Sequence, residues 1–313
     1  MSMRMESVKK IIVSCSLIGM VCGVMPAQTV YGSSKTVSAT TITYKMDAVC
    51  KREDVSKETI NALFAKSAFI GNSVGVGQKM YFNSKGRGFL GNPKMLVQGC
   101  YSFSNDKSLH SQFSLQYGGR RCHAKDAIAY AKVKYVFINM GTNDLWKEAD
   151  STYLDYVEYI KGIQKRNPNV VIFIESTTPM CSSRNGRYLN NHAINRLNSL
   201  IEQYCKKHKD LYYVDITKGM RDATGGLKSA YASDGYVHMT MAGYEVWTNN
   251  LVEYVENLIA QETTAKNLVF KVKYTKHMDD YIKAKKAVDQ LEKSTKKMKL
   301  VKQLKKVKKK IVY

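Results

Sequence analysis

The sequence predicts an α/β domain in which a mostly parallel, five-stranded sheet carries helices on both faces. Short apolar runs alternate along the chain with segments whose apolar residues recur at helical intervals, the pattern of strand–helix–strand units. The run at 170–175 is apolar without alternation, as expected of a strand covered on both faces. A chain of 313 residues, 44% of them hydrophobic, can bury one such core without a second large domain.

Each predicted element follows from a local pattern. The predicted strands are the run from Ala68 to a break at Ser73 and residues 94–99, 135–140, 170–175 and 211–216. The predicted helices cover residues 54–66, 152–166, 190–208 and 242–259. Residues 79–93 and 102–125 are expected to be irregular, and the glycines around Ser73 are interpreted as backbone freedom for a tight turn.

The first residues predict export. Arg4, Lys9 and Lys10 precede an apolar run at 11–25, and small and hydroxyl residues follow from Ala27. This order is typical of a secretory signal peptide. An uncleaved membrane anchor is the alternative, but the run is shorter than the roughly 20 residues that span a bilayer. We therefore predict a secreted or cell-surface protein.

Five cysteines remain after the predicted signal peptide: Cys50, Cys100, Cys122, Cys181 and Cys205. An odd number cannot form a complete disulfide framework within one chain. One or two bridges could form outside the cell, Cys100 and Cys122 being the pair nearest in sequence, or the thiols could be small buried hydrophobic groups. No Cys-x-x-Cys spacing indicates zinc.

The formal net charge of +23 is concentrated at the carboxyl end. Residues 266–313 contain 17 lysines against four acidic residues, a net charge of +13. Apolar residues recur there at intervals of three, four or seven, which predicts an amphipathic helix. Two interpretations stay open: adhesion to an anionic cell-envelope polymer or lipid surface, and a solvated or disordered end. Specific nucleic-acid binding is not predicted, because aromatic residues do not interleave with the lysines.

Groups suited to acyl transfer stand where the predicted strands end. A serine nucleophile needs a base, a group that orients the base, and donors for the developing oxyanion. Ser73 follows the first strand, and His238 lies four residues after Asp234. Gly99 can supply a backbone N–H and Asn143 a side-chain amide at two other strand ends.

These residues resemble the SGNH (GDSL-type) hydrolases, a family of serine esterases and lipases. The four matching blocks are Gly71-Asn72-Ser73-Val74, Gly99, Gly141-Thr142-Asn143-Asp144, and Asp234 with His238. The resemblance spans residues 68–259 and implies a three-layer, flavodoxin-like fold and an enzyme without a cofactor or metal. It implies Ser73 as nucleophile, His238 as general base and then acid, and Asp234 as the group that orients it. The oxyanion hole would comprise the N–H groups of Ser73 and Gly99 and the amide of Asn143.

Two features depart from the family pattern. Asn72 replaces the usual aspartate beside the nucleophile. The interval between Asp234 and His238 is four residues rather than three, so a backbone carbonyl could orient His238 instead.

The same residues also match other sequence patterns. Gly71 to Gly75 also fits the Gly-x-Ser-x-Gly elbow of α/β-hydrolases, whereas a phosphate loop lacks its Gly-Lys-Ser/Thr. Asp144 is expected to cap a helix or brace its loop rather than bind metal. Three aromatic residues beside the blocks could line an acyl or sugar pocket or simply pack: Tyr101, Trp146 and Tyr236.

The predicted organisation is a signal peptide at 1–32, a linker at 33–53, a hydrolase domain at 54–262 and a lysine-rich tail at 263–313. The predicted substrate is a carboxylic ester whose acyl or acetyl group sits on an alcohol, for instance a carbohydrate. Two alternatives stay open, an acyltransferase on envelope glycan and a polyanion-binding protein built on an inactive hydrolase scaffold.

Overall fold

A computed structural model of the chain describes residues 49–311. The predicted signal peptide at 1–32 and most of the predicted linker at 33–53 lie outside the described residues. Within the described part, no helix combines the length and apolar character needed to cross a bilayer.

Five parallel strands form one sheet and confirm the predicted fold class. The strands of the described chain are β1 (Ser67–Gly71), β2 (Lys94–Val97), β3 (Gln116–Tyr117), β4 (Arg120–Arg121), β5 (Tyr135–Asn139), β6 (Val171–Glu175) and β7 (Leu211–Val214). The sheet order is β2-β1-β5-β6-β7, and β3 with β4 forms a separate hairpin. Because the chain leaves β1 towards β2 and returns on its other side to β5, the carboxyl edge of β1 is the topological switch point of the sheet.

Helices cover both faces of the sheet. The helices of the described chain are α1 (Lys57–Phe64), α2 (Ser73–Ser84), α3 (Phe103–Lys107), α4 (Ala124–Ala131), α5 (Ala149–Arg166), α6 (Asn191–Lys207), α7 (Met241–Thr275), α8 (Met278–Gln290) and α9 (Thr295–Lys308). Alternate strand residues face α4, α5 and α6 on one side and α1, α2 and α7 on the other. On the α7 side, the Phe137 ring stacks on those of Phe69 and Phe173 at centroid distances of 4.8 and 4.7 Å.

The region after Ser73 differs from the prediction. Helix α2 begins at Ser73 itself and includes Gly75 and Gly77, so these glycines do not serve a tight turn and residues 79–84 are not irregular. Close packing explains them instead. A Cβ on Gly77 would lie 1.9 Å from the hydroxyl oxygen of Tyr244 on α7, and one on Gly75 would lie 3.0 Å from Val97. The expectation of an irregular segment at 102–125 also missed α3 and the β3–β4 hairpin.

Helix α7 extends far beyond its predicted end. Its 35 residues run without interruption through the predicted boundary between residues 262 and 263. Residues up to Ala260 pack on the sheet, whereas Ala265, Val269 and Val272 belong to a separate apolar core shared with α8 and α9. The lysine-rich segment therefore folds as two helices against the end of α7, and we call this three-helix unit the C-terminal bundle.

Cys100, Cys122, Cys181 and Cys205 are free thiols, so the Cys100–Cys122 bridge is not formed. Cys122 and Cys205 are buried among apolar side chains, in line with the alternative interpretation.

Candidate active site

Ser73 lies at the first position of α2, directly after the central strand β1. Asn72 precedes it as the N-cap residue, with its side-chain oxygen accepting a hydrogen bond from the Val74 N–H at 3.0 Å. Asparagine is among the best N-cap residues, so the departure at position 72 keeps the start of α2 fixed. Ser73 therefore lies at the amino end of α2, where free N–H groups and the positive end of the helix dipole favour a developing negative charge.

His238 connects Ser73 to Asp234. The imidazole Nε2 lies 2.9 Å from Ser73 Oγ, although the two residues are 165 positions apart in sequence. The imidazole Nδ1 lies 2.6 Å from Asp234 Oδ2. Because a carboxylate can only accept, Nδ1 carries the proton in this arrangement, and Nε2 can accept the hydroxyl proton of Ser73.

The four-residue interval between Asp234 and His238 is accommodated in a tight loop. Gly235 takes a φ of 65°, a left-handed conformation that glycine adopts at little cost. The other carboxylate oxygen of Asp234 accepts the N–H groups of Tyr236 at 2.8 Å and His238 at 3.2 Å. The Ser233 N–H closes the loop on the His238 carbonyl at 2.9 Å. Asp234 therefore reaches His238 despite the extra residue.

The environment keeps Asp234 ionised. Partial burial favours a higher pKa, but the hydrogen bonds from the His238 side chain and from two backbone N–H groups outweigh it and hold the pKa of Asp234 below its usual value. A carboxylate that stays charged at neutral pH is what the orientation of a histidine requires.

Three donors lie on neighbouring loops at the same edge of the sheet. The backbone N–H groups of Ser73 and Gly99 bond no protein acceptor among residues 49–311. Asn143 uses one side-chain N–H for the Tyr101 carbonyl at 3.1 Å, which leaves the second available. After Gly99, Cys100 has a φ of 58°, a left-handed conformation that costs a non-glycine residue about 1 kcal/mol or more.

Asp144 ties two of these loops together. Its buried carboxylate accepts the Phe103 N–H at 2.7 Å, while its backbone carbonyl accepts the Thr152 hydroxyl at 3.0 Å. Burial raises the pKa of Asp144 to about 7. Helix α5 begins five residues later, so Asp144 braces the loops and does not cap the helix. Within the described residues, no cluster of His, Cys, Asp and Glu side chains could hold a metal ion.

Gly141 allows the Asn143 loop to turn where it does. Its φ is 112°, and a Cβ there would lie 2.8 Å from Thr177 Oγ1. The Gly-Thr-Asn-Asp sequence therefore needs its glycine for both backbone conformation and space.

The aromatic residues beside the blocks divide between packing and surface. Tyr101 is fully buried and donates its hydroxyl to Asp106, whereas Trp146 is 65% exposed. Tyr236 is half-buried, with the guanidinium of Arg184 5.7 Å from its ring centroid. The Cys181 N–H donates to the Tyr236 carbonyl at 2.8 Å. Arg184 could not be chosen from the sequence, because only the fold brings its loop beside the His238 loop.

A sequence model of the GDSL-like Lipase/Acylhydrolase family matches residues 69–246 of the chain. A search of curated proteins gave no match. Among solved structures, the chain is similar to a GDSL-like lipase from Bacteroides thetaiotaomicron, with 17% identity, 66% of this chain and 100% of that chain covered, and a TM-score of 0.44. It is also similar to a family 3 carbohydrate esterase from Clostridium thermocellum, with 15% identity, coverage of 62% and 98%, and a TM-score of 0.42.

A parallel α/β sheet with a serine and a histidine hydrogen-bonded at its carboxyl edge is the arrangement of hydrolases that use a serine. The chain belongs to the GDSL-like lipase/acylhydrolase family, whose model covers more than half of it, and is a carboxylic ester hydrolase. The SGNH resemblance is confirmed. Membership of this family, rather than an α/β-hydrolase elbow, accounts for the Gly-x-Ser-x-Gly sequence at Ser73.

Proposed function

We propose that the protein cleaves carboxylic esters with Ser73 as nucleophile, His238 as general base and Asp234 as the group that orients His238. The observation that carries this proposal is the continuous hydrogen-bonded line from Asp234 through His238 to Ser73. It supplies a base within reach of the nucleophile and fixes the tautomer of that base.

The chemistry proceeds in two halves. Ser73 Oγ bonds to the acyl carbon while its proton passes to His238 Nε2, and the oxyanion accepts hydrogen bonds from Ser73, Gly99 and Asn143. The ester C–O bond breaks, the alcohol takes the proton from His238, and the acyl group stays on Ser73. Water then gives a proton to His238 and attacks the acyl carbon. The bond between the acyl carbon and Ser73 Oγ breaks, Oγ takes the proton back from His238, and the carboxylic acid is released.

The proposed substrate is an acyl or acetyl ester, with a carbohydrate as the alcohol. Trp146, which is 65% exposed, lies three residues after Asn143 in the sequence, and the Lys147 ammonium group lies 5.4 Å from its ring centroid. Tyr236 offers a second ring beside His238. Flat aromatic faces suit the apolar faces of sugar rings, and a polar rim suits their hydroxyl groups.

The proposed site of action is outside the cell, at an anionic surface. The basic, apolar and small-residue order of residues 1–32 supports export. The net charge of +13 in residues 266–313 supports attraction to an anionic envelope polymer or lipid surface. Mass spectrometry of the protein recovered from the culture medium tests export: a mass that retains residues 1–32 contradicts it.

Hydrolysis of p-nitrophenyl acetate, butyrate and octanoate tests the catalytic proposal. We expect Ser73→Ala and His238→Ala to lower turnover about 10⁴-fold or more, because nucleophile and base act as a unit. Asp234→Asn should cost about 10² to 10⁴-fold; a loss below tenfold would favour a Ser–His dyad. An inert wild type, or an equally active Ser73→Ala, refutes hydrolysis at this site. Turnover only after a sugar acceptor is added indicates acyl transfer.

A further inference from the structure

Helix α9 and the turn that follows it present a continuous array of exposed lysines. Residues 293–311 contain no acidic residue. Seven exposed lysines have no ion pair within the described chain, and together they form what we call the lysine face: Lys299, Lys302, Lys305, Lys306, Lys308, Lys309 and Lys310. Lysines at intervals of three or four lie above one another on a helix, so their charges repel at short range. An anionic ligand would relieve that repulsion.

Other lysines near α9 have structural partners. Lys296 forms an ion pair with Glu262, and Lys293 donates to the Lys207 carbonyl at 2.8 Å. Lys297 donates to the carbonyls of Asp289 and Leu291. The fold thus uses these three lysines and leaves the lysine face to the solvent.

The chemistry of α9 favours a linear polyanion over a membrane or a nucleic acid. Its apolar residues Leu300, Leu304 and Val307 are buried in the C-terminal bundle and Met298 stands alone as a strongly exposed apolar side chain of α9, so the helix has no continuous apolar side to insert among lipids. It also carries no aromatic residue on which nucleic-acid bases could stack. Lysine ammonium groups repeated along about 20 Å of helix match a chain of phosphate groups.

The lysine face is fixed at the amino edge of the sheet. Asp210, directly before β7, accepts hydrogen bonds from the Thr295 N–H at 2.7 Å and the Thr295 hydroxyl at 2.5 Å. The Asp210 N–H donates to the Lys293 carbonyl at 3.1 Å, and Tyr254 donates to Glu292 at 2.7 Å. These bonds attach the start of α9 to the hydrolase core.

The candidate active site lies at the opposite edge. Ser73 and Asn143 follow the carboxyl ends of β1 and β5, and a five-residue strand is about 16 Å long. Helix α7 starts three residues after His238, and Ala265, where the bundle core begins, is about 36 Å further along its axis.

We propose that the lysine face binds a linear, phosphate-bearing polyanion and thereby holds the enzyme with its active site turned away from that polymer. This inference rests on the proposed location at an anionic surface and names the partner. The immobilised polymer is then not the ester substrate. The enzyme acts on molecules that approach from the opposite side.

The affinity for inorganic polyphosphate, measured at several salt concentrations with the protein that comprises residues 33–313, tests the proposed binding. The test variant replaces four lysines of the lysine face with glutamine: Lys302, Lys305, Lys306 and Lys309. The control variant makes the same change in charge at four exposed lysines on the surface of the hydrolase domain, outside the C-terminal bundle: Lys57, Lys94, Lys161 and Lys165. We expect the test variant to bind polyphosphate about tenfold more weakly or worse. The plot of the logarithm of the binding constant against the logarithm of the salt concentration should become shallower, its slope falling in magnitude by up to about four. The control should keep most of the wild-type affinity.

Equal weakening of both variants would overturn the proposal. Tighter binding to phosphatidylglycerol vesicles or to single-stranded DNA of the same phosphate content would overturn the choice of partner. Ser73→Ala should bind polyphosphate as the wild type does, so the binding result stands apart from the fate of the catalytic proposal.

The orientation has its own measurement. Cys100 is exposed beside Gly99, so its alkylation, followed by peptide mass spectrometry, reports access to the active-site end without requiring turnover. We expect the rate of Cys100 alkylation in saturating polyphosphate to lie within twofold of the rate without polyphosphate. Protection of Cys100 would place the polymer over the active site and overturn the orientation.

Discussion

The two ends of α7 use charge in opposite ways. At the end near His238, two carboxyl groups have defined partners: Asp234 accepts three hydrogen bonds from its own loop, and Asp144 is buried against the Phe103 N–H. At the other end, the lysine face leaves seven charges in solvent. Acyl transfer depends on the placement of a few atoms, whereas attraction to a polyanion depends on the number and density of charges. The two activities should therefore respond to different substitutions.

Asn143→Ala should produce the largest difference between the effect on ester hydrolysis and the effect on polyphosphate binding. Loss of one oxyanion donor should lower kcat about 10² to 10³-fold, about 3–4 kcal/mol in the barrier, with little change in KM. Polyphosphate affinity should not change, because Asn143 lies at the other end of α7. Steady-state hydrolysis of p-nitrophenyl acetate measures the first effect. The exposed Asn83 on α2 provides the control substitution, Asn83→Ala, which should keep wild-type turnover. A fall of less than tenfold for Asn143→Ala would remove it from the oxyanion hole.

Val269→Asp should have the opposite effect: it should weaken polyphosphate binding and leave ester hydrolysis nearly unchanged. Val269 is fully buried in the bundle core, so a carboxylate there should unfold the bundle, because a buried charge without a partner costs several kcal/mol. Polyphosphate affinity should fall about tenfold or more as the lysine face loses its helix, while p-nitrophenyl acetate hydrolysis stays within twofold.

Ile282→Asp is the matched control for Val269→Asp. It makes the same chemical change on α8 at a side chain that is 56% exposed, and it should leave both affinity and hydrolysis near wild type. Loss of hydrolysis in Val269→Asp would mean that the two ends of α7 depend on one another for folding.

The smallest effect concerns a buried carboxyl group, that of Glu175, at the end of β6. Burial raises its pKa to about 8, although the Trp247 indole N–H donates to it at 3.1 Å. Between about pH 5 and 8, the folded protein keeps this proton and the unfolded chain has lost it. The free energy of unfolding therefore falls as pH rises, by roughly 1 kcal/mol per pH unit.

Glu175→Gln should remove that slope, since glutamine does not ionise. Urea unfolding at pH 5, 6.5 and 8 measures the difference between the variant and the wild type, and contributions shared by both proteins, such as that of Asp144, cancel. The exposed Glu53→Gln serves as the control and should follow the wild type at every pH. Parallel curves for the wild type and Glu175→Gln would show that Glu175 is ionised in the folded protein.

The sheet could be predicted because each strand carries its own signal. Apolar runs such as 135–140 and 170–175 need no distant partner to be recognised. Helix α2 could not be predicted, because Gly75 and Gly77 disfavour a helix locally. Their advantage comes from contact with Val97 and with Tyr244, more than 160 positions away.

In the candidate site too, some features could be predicted from local sequence and others depend on the folded structure. Ser73, Gly99, Asn143 and His238 could be chosen from motifs at strand ends. Whether Asp234 reaches His238 depended on the φ of Gly235 and on two backbone hydrogen bonds, none of which a spacing in sequence determines. The extent of α7 was likewise set by contacts of Val269 and Val272 with α8 and α9 rather than by its own periodicity.

The separation of 165 positions between Ser73 and His238 has a consequence for the order in which the site is assembled. The serine is synthesised with the first strand of the sheet, and its base arrives only when the last crossover of the domain is complete. Tyr244 then reaches Gly77, so the helix that follows the base contacts the helix that begins with the serine. A nascent chain holds Ser73 without the base proposed for it. The proposed ester-cleaving centre therefore forms late, when the domain is nearly complete, and unfinished chains should not cleave esters.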